Sequence, residues 1–232
     1  MINFKTKPSY GFDDLVALVR VLRAPDGCPW DSVQTHGSIR RNFIEEVYEA
    51  CEAIDSQDPD SLREELGDVL LHVVFHAGIE QDAGHFDIND VCDTVVKKMI
   101  SRHPALFGHP EDHLSWDELK RREKGQTSLS QELDSVAKSL PALWRAEKLQ
   151  SKAQAAGVSL PSGLPAQLPE AASDPELAVG ELLFSAVNLA RSAGVDPETA
   201  LHQCCDAFLA RVRRDEMGRD PQNLQAEPSA QY

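Results

Sequence analysis

The sequence predicts an all-α protein, and three observations support that prediction. Apolar residues recur at the three- and four-residue intervals of a helix with one buried face, over most of the chain. Helix-starting patterns such as "DIND" at 87–90 and "SWDE" at 115–118 precede several of these stretches. No segment shows the β-branched alternation that is typical of a strand. Packed helices are therefore the expected architecture.

Four helices are expected in the first half of the chain. The first is a short amphipathic stretch, and the Pro- and Gly-containing loop "APDGCPWDSVQTHG" follows it. Ser38 or a neighbour starts the second helix. Ser61 with Glu64 forms a capping-box pattern before the third helix, and Asp87 with Asp90 resembles another cap before the fourth. The predicted ranges are about 13–23, 38–54, 61–81 and 87–102.

Four further helices are expected beyond Pro104, which stops the fourth helix. Ser115 with Glu118 starts a short one, and Pro141 occupies the first turn of the next. The segment "GVSLPSGLPAQLPEAASDP" is rich in Pro, Ser, Gly and Ala, which is typical of a linker. The tail "GRDPQNLQAEPSAQY" is expected to be disordered. The predicted ranges are about 115–124, 141–156, 176–192 and 197–214.

Composition limits the classes of partner. The formal net charge is −15 and there is no long basic segment, which argues against a nucleic-acid polymer. No apolar run reaches the roughly 18 residues of a membrane span, and the N-terminus lacks the apolar core of a signal peptide. The five cysteines form no CxxC pair, and an odd count suggests reduced thiols. We therefore expect a cytoplasmic protein with no membrane partner.

Part of the chain is repeated. The segment "LGDVLLHVVFHAG" (66–78) aligns with "VGELLFSAVNLAR" (179–191), so that Gly67 meets Gly180 and Asp68 meets Glu181. A turn and another helix follow each copy, which indicates a duplicated helical unit. The Glu-rich helix before the first copy has no counterpart before the second. We therefore expect at most one acidic site, in the first half.

Acidic side chains on two consecutive helices are expected to face each other. On the second helix they fall within about a third of the circumference. On the third helix, Asp68, His72 and His76 fall within about 60° of Glu65. The short connection makes the two helices an antiparallel hairpin. The polar face of the second helix consists of Asn42, Glu45, Glu46, Glu49 and Glu52.

Carboxylates in that arrangement would repel one another and lose hydration, and a hard cation such as Mg²⁺ would relieve both effects. Each half of the pattern has a simpler interpretation. The acids of the second helix could be solvated surface, and Glu65 and Asp68 could complement a helix dipole. Their register on one hairpin favours the metal site. His72 and His76 have a spacing that zinc sites use, but no third ligand is evident. Histidines that line a cavity or form hydrogen bonds are the favoured interpretation of that pair.

"EEVYE" (45–49) followed by "EELGD" (64–68) resembles the EExxE…ExxD signature of the MazG-like, all-α nucleoside triphosphate pyrophosphohydrolases. The likeness covers most of the chain as far as about residue 156. It extends through "DGCPWD", "GHFDINDV", "RHPALFG", "WDELKRREK" and "SLPALWRAEKLQ".

The resemblance implies a four-helix assembly that pairs into a homodimer and binds Mg²⁺, with Mn²⁺ able to substitute. Its implied substrate is a nucleoside triphosphate (NTP or dNTP), which is cleaved to the monophosphate and pyrophosphate. Such an enzyme would remove non-canonical or excess nucleotides from the cell.

Individual residues acquire roles from the same resemblance. Lys98 and Arg102 match the family's basic pair and, at i and i+4, share a face that suits phosphates. Trp30 is a candidate for stacking on the base, although a core or interface aromatic is an equal interpretation. No Ser-His-Asp or Cys-His arrangement is visible, so direct attack by an activated water is expected. The implied metal ligands are Glu46, Glu49, Glu65 and Asp68, with Glu45 as an assisting acid.

The C-terminal half departs from the longer family members, which repeat the acidic signature. It keeps only "VGELLF", and Ala207 stands at the position that matches Lys98. The second unit is therefore expected to be a degenerate, catalytically dead copy. The predicted domains are a catalytic domain at 1–128, a connecting helix and linker at 129–175, the degenerate unit at 176–215 and a tail at 216–232.

Two other functions stay open. One is a phosphoribosyl-ATP pyrophosphatase, which shares the chemistry and the general fold, although the "CPWD" and "RHP" segments favour the MazG-like interpretation. The other is a catalytically weak nucleotide-binding or regulatory helical protein that descends from the enzyme. The complete set of acids in the first half disfavours this alternative.

Overall fold

The computed structural model describes residues 4–107, 114–160 and 174–219. These residues form helices joined by turns and loops, and they contain no strand, which confirms the all-α prediction. None of the helices in the described ranges is long and apolar enough to cross a bilayer. The helices are α1 (Phe12–Arg23), α2 (His36–Ser56), α3 (Pro59–Asp82), α4 (Ile88–Ser101), α5 (Pro104–Phe107), α6 (Trp116–Glu123), α7 (Leu129–Asp134), α8 (Ala142–Ala155), α9 (Pro175–Ser192) and α10 (Pro197–Arg219), with a 3₁₀ helix at Asp31–Val33.

The chain divides into two compact units, Met1–His113 and Leu114–Tyr232. The domain boundaries inferred from the sequence stay predictions. Most of the predicted linker and the last thirteen residues of the predicted tail, at 161–173 and 220–232, lie outside the described residues.

The start of α3 differs from the prediction. The helix begins at Pro59, and the Asp58 side chain accepts hydrogen bonds from the amides of Asp60 (3.0 Å) and Ser61 (3.3 Å). The predicted capping box of Ser61 with Glu64 is therefore wrong. Asp58 caps instead because proline, which has no amide hydrogen, suits the first helical position and leaves Ser61 inside the first turn.

The other helix ends agree more closely with the prediction. Asp87 and Ser115 are N-caps with reciprocal side-chain bonds, as expected. Thr35, three residues before Ser38, caps α2. Helix α10 continues to Arg219, so the predicted end at residue 214 is too early and the predicted disorder of 216–219 is wrong.

The first unit is built on the hairpin of α2 and α3. Gln57 closes α2 in the left-handed region (φ 56°), and α3 starts two residues later. Helices α1 and α4 also pack against α3. The ion pair between Arg23 Nη2 and Asp82 Oδ2 (2.7 Å) ties the end of α1 to the end of α3. The buried core contains Val19, Ile39, Val74, Phe75, Ala77 and Ile88.

The second unit is organised around α8. Gln150 is fully buried, and its Nε2 donates to the carbonyl oxygen of Phe184 on α9 (2.7 Å). Trp144 Nε1 donates to Asp196, the residue before α10, at 3.1 Å. These bonds hold α9 and α10 against α8. The helix–turn–helix predicted for this region is present, and its origin as a degenerate second copy stays a prediction.

Candidate metal centre and adjoining groove

Three carboxylates meet on the hairpin of the first unit. Glu46 and Glu49 stand at i and i+3 on α2, so they share a helix face. The antiparallel packing brings Glu65 of α3 against them, and one carboxylate oxygen from each residue lies within 4.8 Å of the other two. Among the residues that the structure describes, these three form the group of acidic, histidine or cysteine residues whose ligand atoms are close enough together to share a metal ion.

The other two predicted acids lie differently. Asp68 is half-buried one turn beyond Glu65 and stands outside the group of three, although its charge acts on Glu46. Glu45 is exposed and pairs with Arg41 on its own helix, with Oε1 3.3 Å from Nη2. The structure thus brings three of the four predicted ligands together, with Asp68 beside them and Glu45 on a neighbouring face.

The electrostatics of the cluster suit a cation. Partial burial raises the pKa of Glu46, and the charges of Asp68, Glu49 and Glu65 raise it further. Burial also raises the pKa of Glu65, with a further contribution from Glu49. Raised pKa values mean that ionised carboxylates destabilise one another here, and a divalent ion would reverse that effect. Oxygen donors alone fit a hard divalent cation.

His72 lies at the edge of the cluster. Its Nε2 is 4.0 Å from Glu46 Oε1, and its Nδ1 is buried without a hydrogen-bond partner. Burial lowers the pKa of His72, and the charge of Asp68 opposes that effect. The lowered pKa favours the neutral form of this imidazole beside the carboxylates.

A chain of hydrogen bonds continues along α3 from this point. His76 Nδ1 is 2.7 Å from His36 Nδ1, and His36 Nε2 is 2.5 Å from Glu80 Oε1. The second oxygen of Glu80 is 2.7 Å from His85 Nδ1. Hydrogen bonds from His85 and then His36 lower the pKa of Glu80, whereas burial lowers that of His76.

The structure confirms that His76 is a hydrogen-bonded histidine, and it shows which partners the sequence analysis missed. His36, Glu80 and His85 were not singled out. Glu80 follows His72 and His76 at the same four-residue spacing, which is the signal that would have extended the line. His36 is a third histidine near this pair. Over the described ranges, however, no set of ligand atoms that includes these histidines is compact enough for a shared metal ion.

A groove of about 610 Å³ opens beside this chain, between α2, α3 and the start of α4. Phe43 and Phe86 contribute to its mainly apolar walls, and its polar groups come from His36, Arg40, His76 and Glu80. A neighbouring cavity of about 390 Å³ shares Phe86 and Val91 with it and extends along α4 to Lys98.

The predicted substrate-binding residues occupy separate places in the first unit. Lys98 is half-buried in the wall of the second cavity. Arg102 is half-buried one turn later, at the end of α4. Trp30 is 60% exposed, which excludes the interpretation as a core aromatic.

Comparisons with known proteins identify relatives of this chain. The family model described as the MazG nucleotide pyrophosphohydrolase domain matches residues 34–107, which include all three clustered carboxylates. A Thermotoga maritima protein named nucleoside triphosphate pyrophosphohydrolase/pyrophosphatase MazG is 41% identical over 88% of this chain and 85% of its own length.

Two further relatives are named nucleoside triphosphate pyrophosphohydrolase. The Escherichia coli K12 protein is 36% identical over 88% of this chain and 86% of its own length. The Mycolicibacterium smegmatis protein is 37% identical over 90% of this chain and 60% of its own length. The chain therefore belongs to the MazG family of nucleotide pyrophosphohydrolases.

Proposed function

We propose that the protein is a Mg²⁺-dependent nucleoside triphosphate pyrophosphohydrolase that converts NTP or dNTP to the monophosphate and pyrophosphate. The observation that supports this proposal most directly is the convergence of Glu46, Glu49 and Glu65 on one hairpin. Family membership supports the reaction class, since relatives with this activity in their names match most of the chain.

The clustered carboxylates and Asp68 would hold Mg²⁺, with Mn²⁺ as a substitute. Such an ion would offset the negative charge of the polyphosphate and would supply Lewis-acid activation for the attack of water. The residues of the chain then have complementary tasks. Lys98 and Arg102 bind phosphate oxygens and balance the charge that develops on the leaving pyrophosphate. Glu45 accepts the proton of the attacking water.

The reaction follows from those tasks. The water oxygen forms a bond to the α-phosphorus, and the bond from that phosphorus to the bridging oxygen of the β-phosphate breaks. The pyrophosphate departs with the electron pair of that bond. The proton of the water passes to Glu45, an exposed acid beside Glu46 on α2 that lies outside the carboxylate cluster.

We also propose that the protein is a homodimer. Helix α2 exposes Ile44, Val47 and Tyr48, and α3 exposes Leu66 and Leu70, each to between 39% and 52%. Exposed apolar side chains grouped on one hairpin are typical of a surface that another chain covers. A cytoplasmic role in removing non-canonical or excess nucleotides, and a second unit without catalytic function, belong to the same proposal.

The test is pyrophosphate release from a panel of NTPs, dNTPs and phosphoribosyl-ATP, with and without Mg²⁺ or Mn²⁺. We expect metal-dependent release that falls about 100-fold or more in Glu49→Gln, because even residues that only support metal ligands typically contribute 10- to 100-fold. Glu52→Gln is the matched control, since Glu52 is an exposed acid on the same helix outside the cluster.

Each outcome of the panel has a defined meaning. Release from phosphoribosyl-ATP alone would replace the proposed substrate class. Binding of nucleotide without any release by the folded protein would overturn the enzymatic function and favour a regulatory one. Equal losses in Glu49→Gln and Glu52→Gln would remove the carboxylate cluster from the mechanism.

A further inference from the structure

The groove beside the histidine chain takes no part in the chemistry described above. Its volume of about 610 Å³ falls in the range of roughly 300–1,000 Å³ that small-molecule sites occupy. The walls offer two aromatic rings, Phe43 and Phe86, and the polar groups come from His36, Arg40, His76 and Glu80. Mainly apolar walls with a few convergent polar groups are the composition of a ligand site.

One end of the groove adjoins the carboxylate cluster. The Phe43 ring lies 5.7 Å from the His72 ring and 5.5 Å from the His76 ring, measured between centroids. His72 in turn lies 4.0 Å from Glu46. Phe43 also precedes Glu46 by three residues on α2, so the groove begins about one helical turn, roughly 5 Å, from the candidate metal ligands.

The groove also leads towards positive charge. Phe86 and Val91 line both this groove and the neighbouring cavity, and Lys98 lines the far part of that cavity. An aromatic and hydrogen-bonding compartment is therefore continuous with a basic residue along α4. A nucleotide has the same order of chemistry, from an aromatic base through a sugar to anionic phosphates.

We propose that the groove formed by His36, Phe43, His76 and Phe86 holds the nucleobase of the substrate. This inference rests on the proposed function and specifies how the site distinguishes a nucleotide from an inorganic polyphosphate. The aromatic rings stack on the face of the base, and the histidines bind its polar edge. The sugar then spans the helical turn between the groove and the carboxylate cluster.

The test measures binding separately from catalysis. Dissociation constants are determined calorimetrically for the α,β-methylene analogues of ATP and dCTP and for inorganic pyrophosphate, in Mg²⁺. The variants are Phe86→Ala and His36→Ala, whose side chains are partly exposed and lie outside the buried core. Phe12→Ala is the control, because Phe12 is 41% exposed, compared with 42% for Phe86, and lines neither cavity.

We expect both groove variants to weaken binding of at least one analogue about tenfold or more, which is the effect of losing one base-stacking aromatic. Binding of pyrophosphate should stay unchanged, and Phe12→Ala should behave as wild type. Three results would overturn the inference: no binding of either analogue to the wild type, unchanged analogue binding in the variants, or parallel losses for analogue and pyrophosphate.

Light scattering on the same samples covers the remaining alternative. A fall in molecular mass in Phe86→Ala or His36→Ala would show that a second copy of the chain covers the groove, which also overturns the inference. The same measurements distinguish failure of the proposed function from failure of the proposed base site. A wild type that releases no pyrophosphate, with the expected pattern of analogue binding, would remove the enzymatic activity and keep the base site.

Discussion

The Nδ1 atoms of His36 and His76 lie 2.7 Å apart, which joins the first residue of α2 to the interior of α3. One of the two nitrogens must donate and the other must accept. Glu80 decides which, because hydrogen bonds lower its pKa and its carboxylate accepts a hydrogen bond from the Nε2–H group of His36. In the neutral pair, His36 Nδ1 is therefore the acceptor and His76 Nδ1 carries the hydrogen.

A prediction about tautomers follows. When both rings are neutral, His76 should be the Nδ1–H tautomer and His36 the Nε2–H tautomer. Long-range ¹H–¹⁵N NMR spectra distinguish the two forms. Glu80→Gln should remove the preference, whereas Asp82→Asn, two residues further along α3, should not. The opposite assignment in the wild type would contradict this hydrogen-bond chain.

The effect of Glu46→Gln on stability should depend on whether a divalent ion is bound. Without a divalent ion, Glu46→Gln should raise Tm, because the substitution removes a carboxylate whose pKa burial and neighbouring charges raise. With Mg²⁺ in excess the wild type should gain stability, about 2.7 kcal/mol at 100 times Kd, and the variant should gain little. Thermal scans with chelator and with Mg²⁺ measure both effects. An identical Mg²⁺ response in wild type and variant would place the ion elsewhere.

Two glycines should respond to alanine in opposite ways. A Cβ on Gly27 would lie 2.5 Å from the carbonyl oxygen of Leu22, which the loop backbone cannot avoid without moving. Gly27→Ala should therefore destabilise the protein by about 1–3 kcal/mol. A Cβ on Gly67, inside α3, would meet nothing within 4 Å, so Gly67→Ala should stabilise by about 0.5–1 kcal/mol. Chemical denaturation measures both. Loss of stability in Gly67→Ala would indicate that another chain packs closely on this part of α3.

Stability should also depend on pH through Asp196. A hydrogen bond from the Thr199 amide (2.7 Å) is the main cause that lowers the pKa of this N-cap, and the Trp144 bond adds to it. A lowered folded-state pKa stabilises the protein above the unfolded value of about 3.9, and that contribution disappears as the pH falls through the folded value. Asp196→Asn should flatten the acid limb of the stability curve. Unfolding experiments across the acid range measure the effect, and an unchanged acid limb in the variant would contradict the assignment.

The second unit should tolerate changes that abolish function in the first. Glu181→Gln should leave pyrophosphate release and Mg²⁺ dependence unchanged, because Glu181 belongs to no compact set of metal-binding side chains in the described ranges. Glu65→Gln, in the acidic cluster of the first unit, should lose both. The measurement is the same release assay. A large loss in Glu181→Gln would give the second unit a catalytic role.

The sequence by itself determined the local features of this protein. The spacing of Glu46 and Glu49 places them on one face of any α-helix, and the short connection to α3 requires a hairpin. The N-caps at Asp87 and Ser115 could also be predicted from the sequence, since an N-cap depends on residues only three positions apart. These features follow from backbone hydrogen bonding, which has a fixed period whatever surrounds the helix.

Only the tertiary structure decided which groups meet. Glu65 lies in the compact group with Glu46 and Glu49 whereas Asp68 lies beside it, and His36 meets His76 from forty residues away. Helical periodicity gives the direction of each side chain relative to its own axis. It does not give the rotation of α2 and α3 about those axes, which the burial of Ile39, Ala50 and Val74 decides. The physical reason is that packing is a property of pairs of helices, whereas sequence spacing describes one helix at a time.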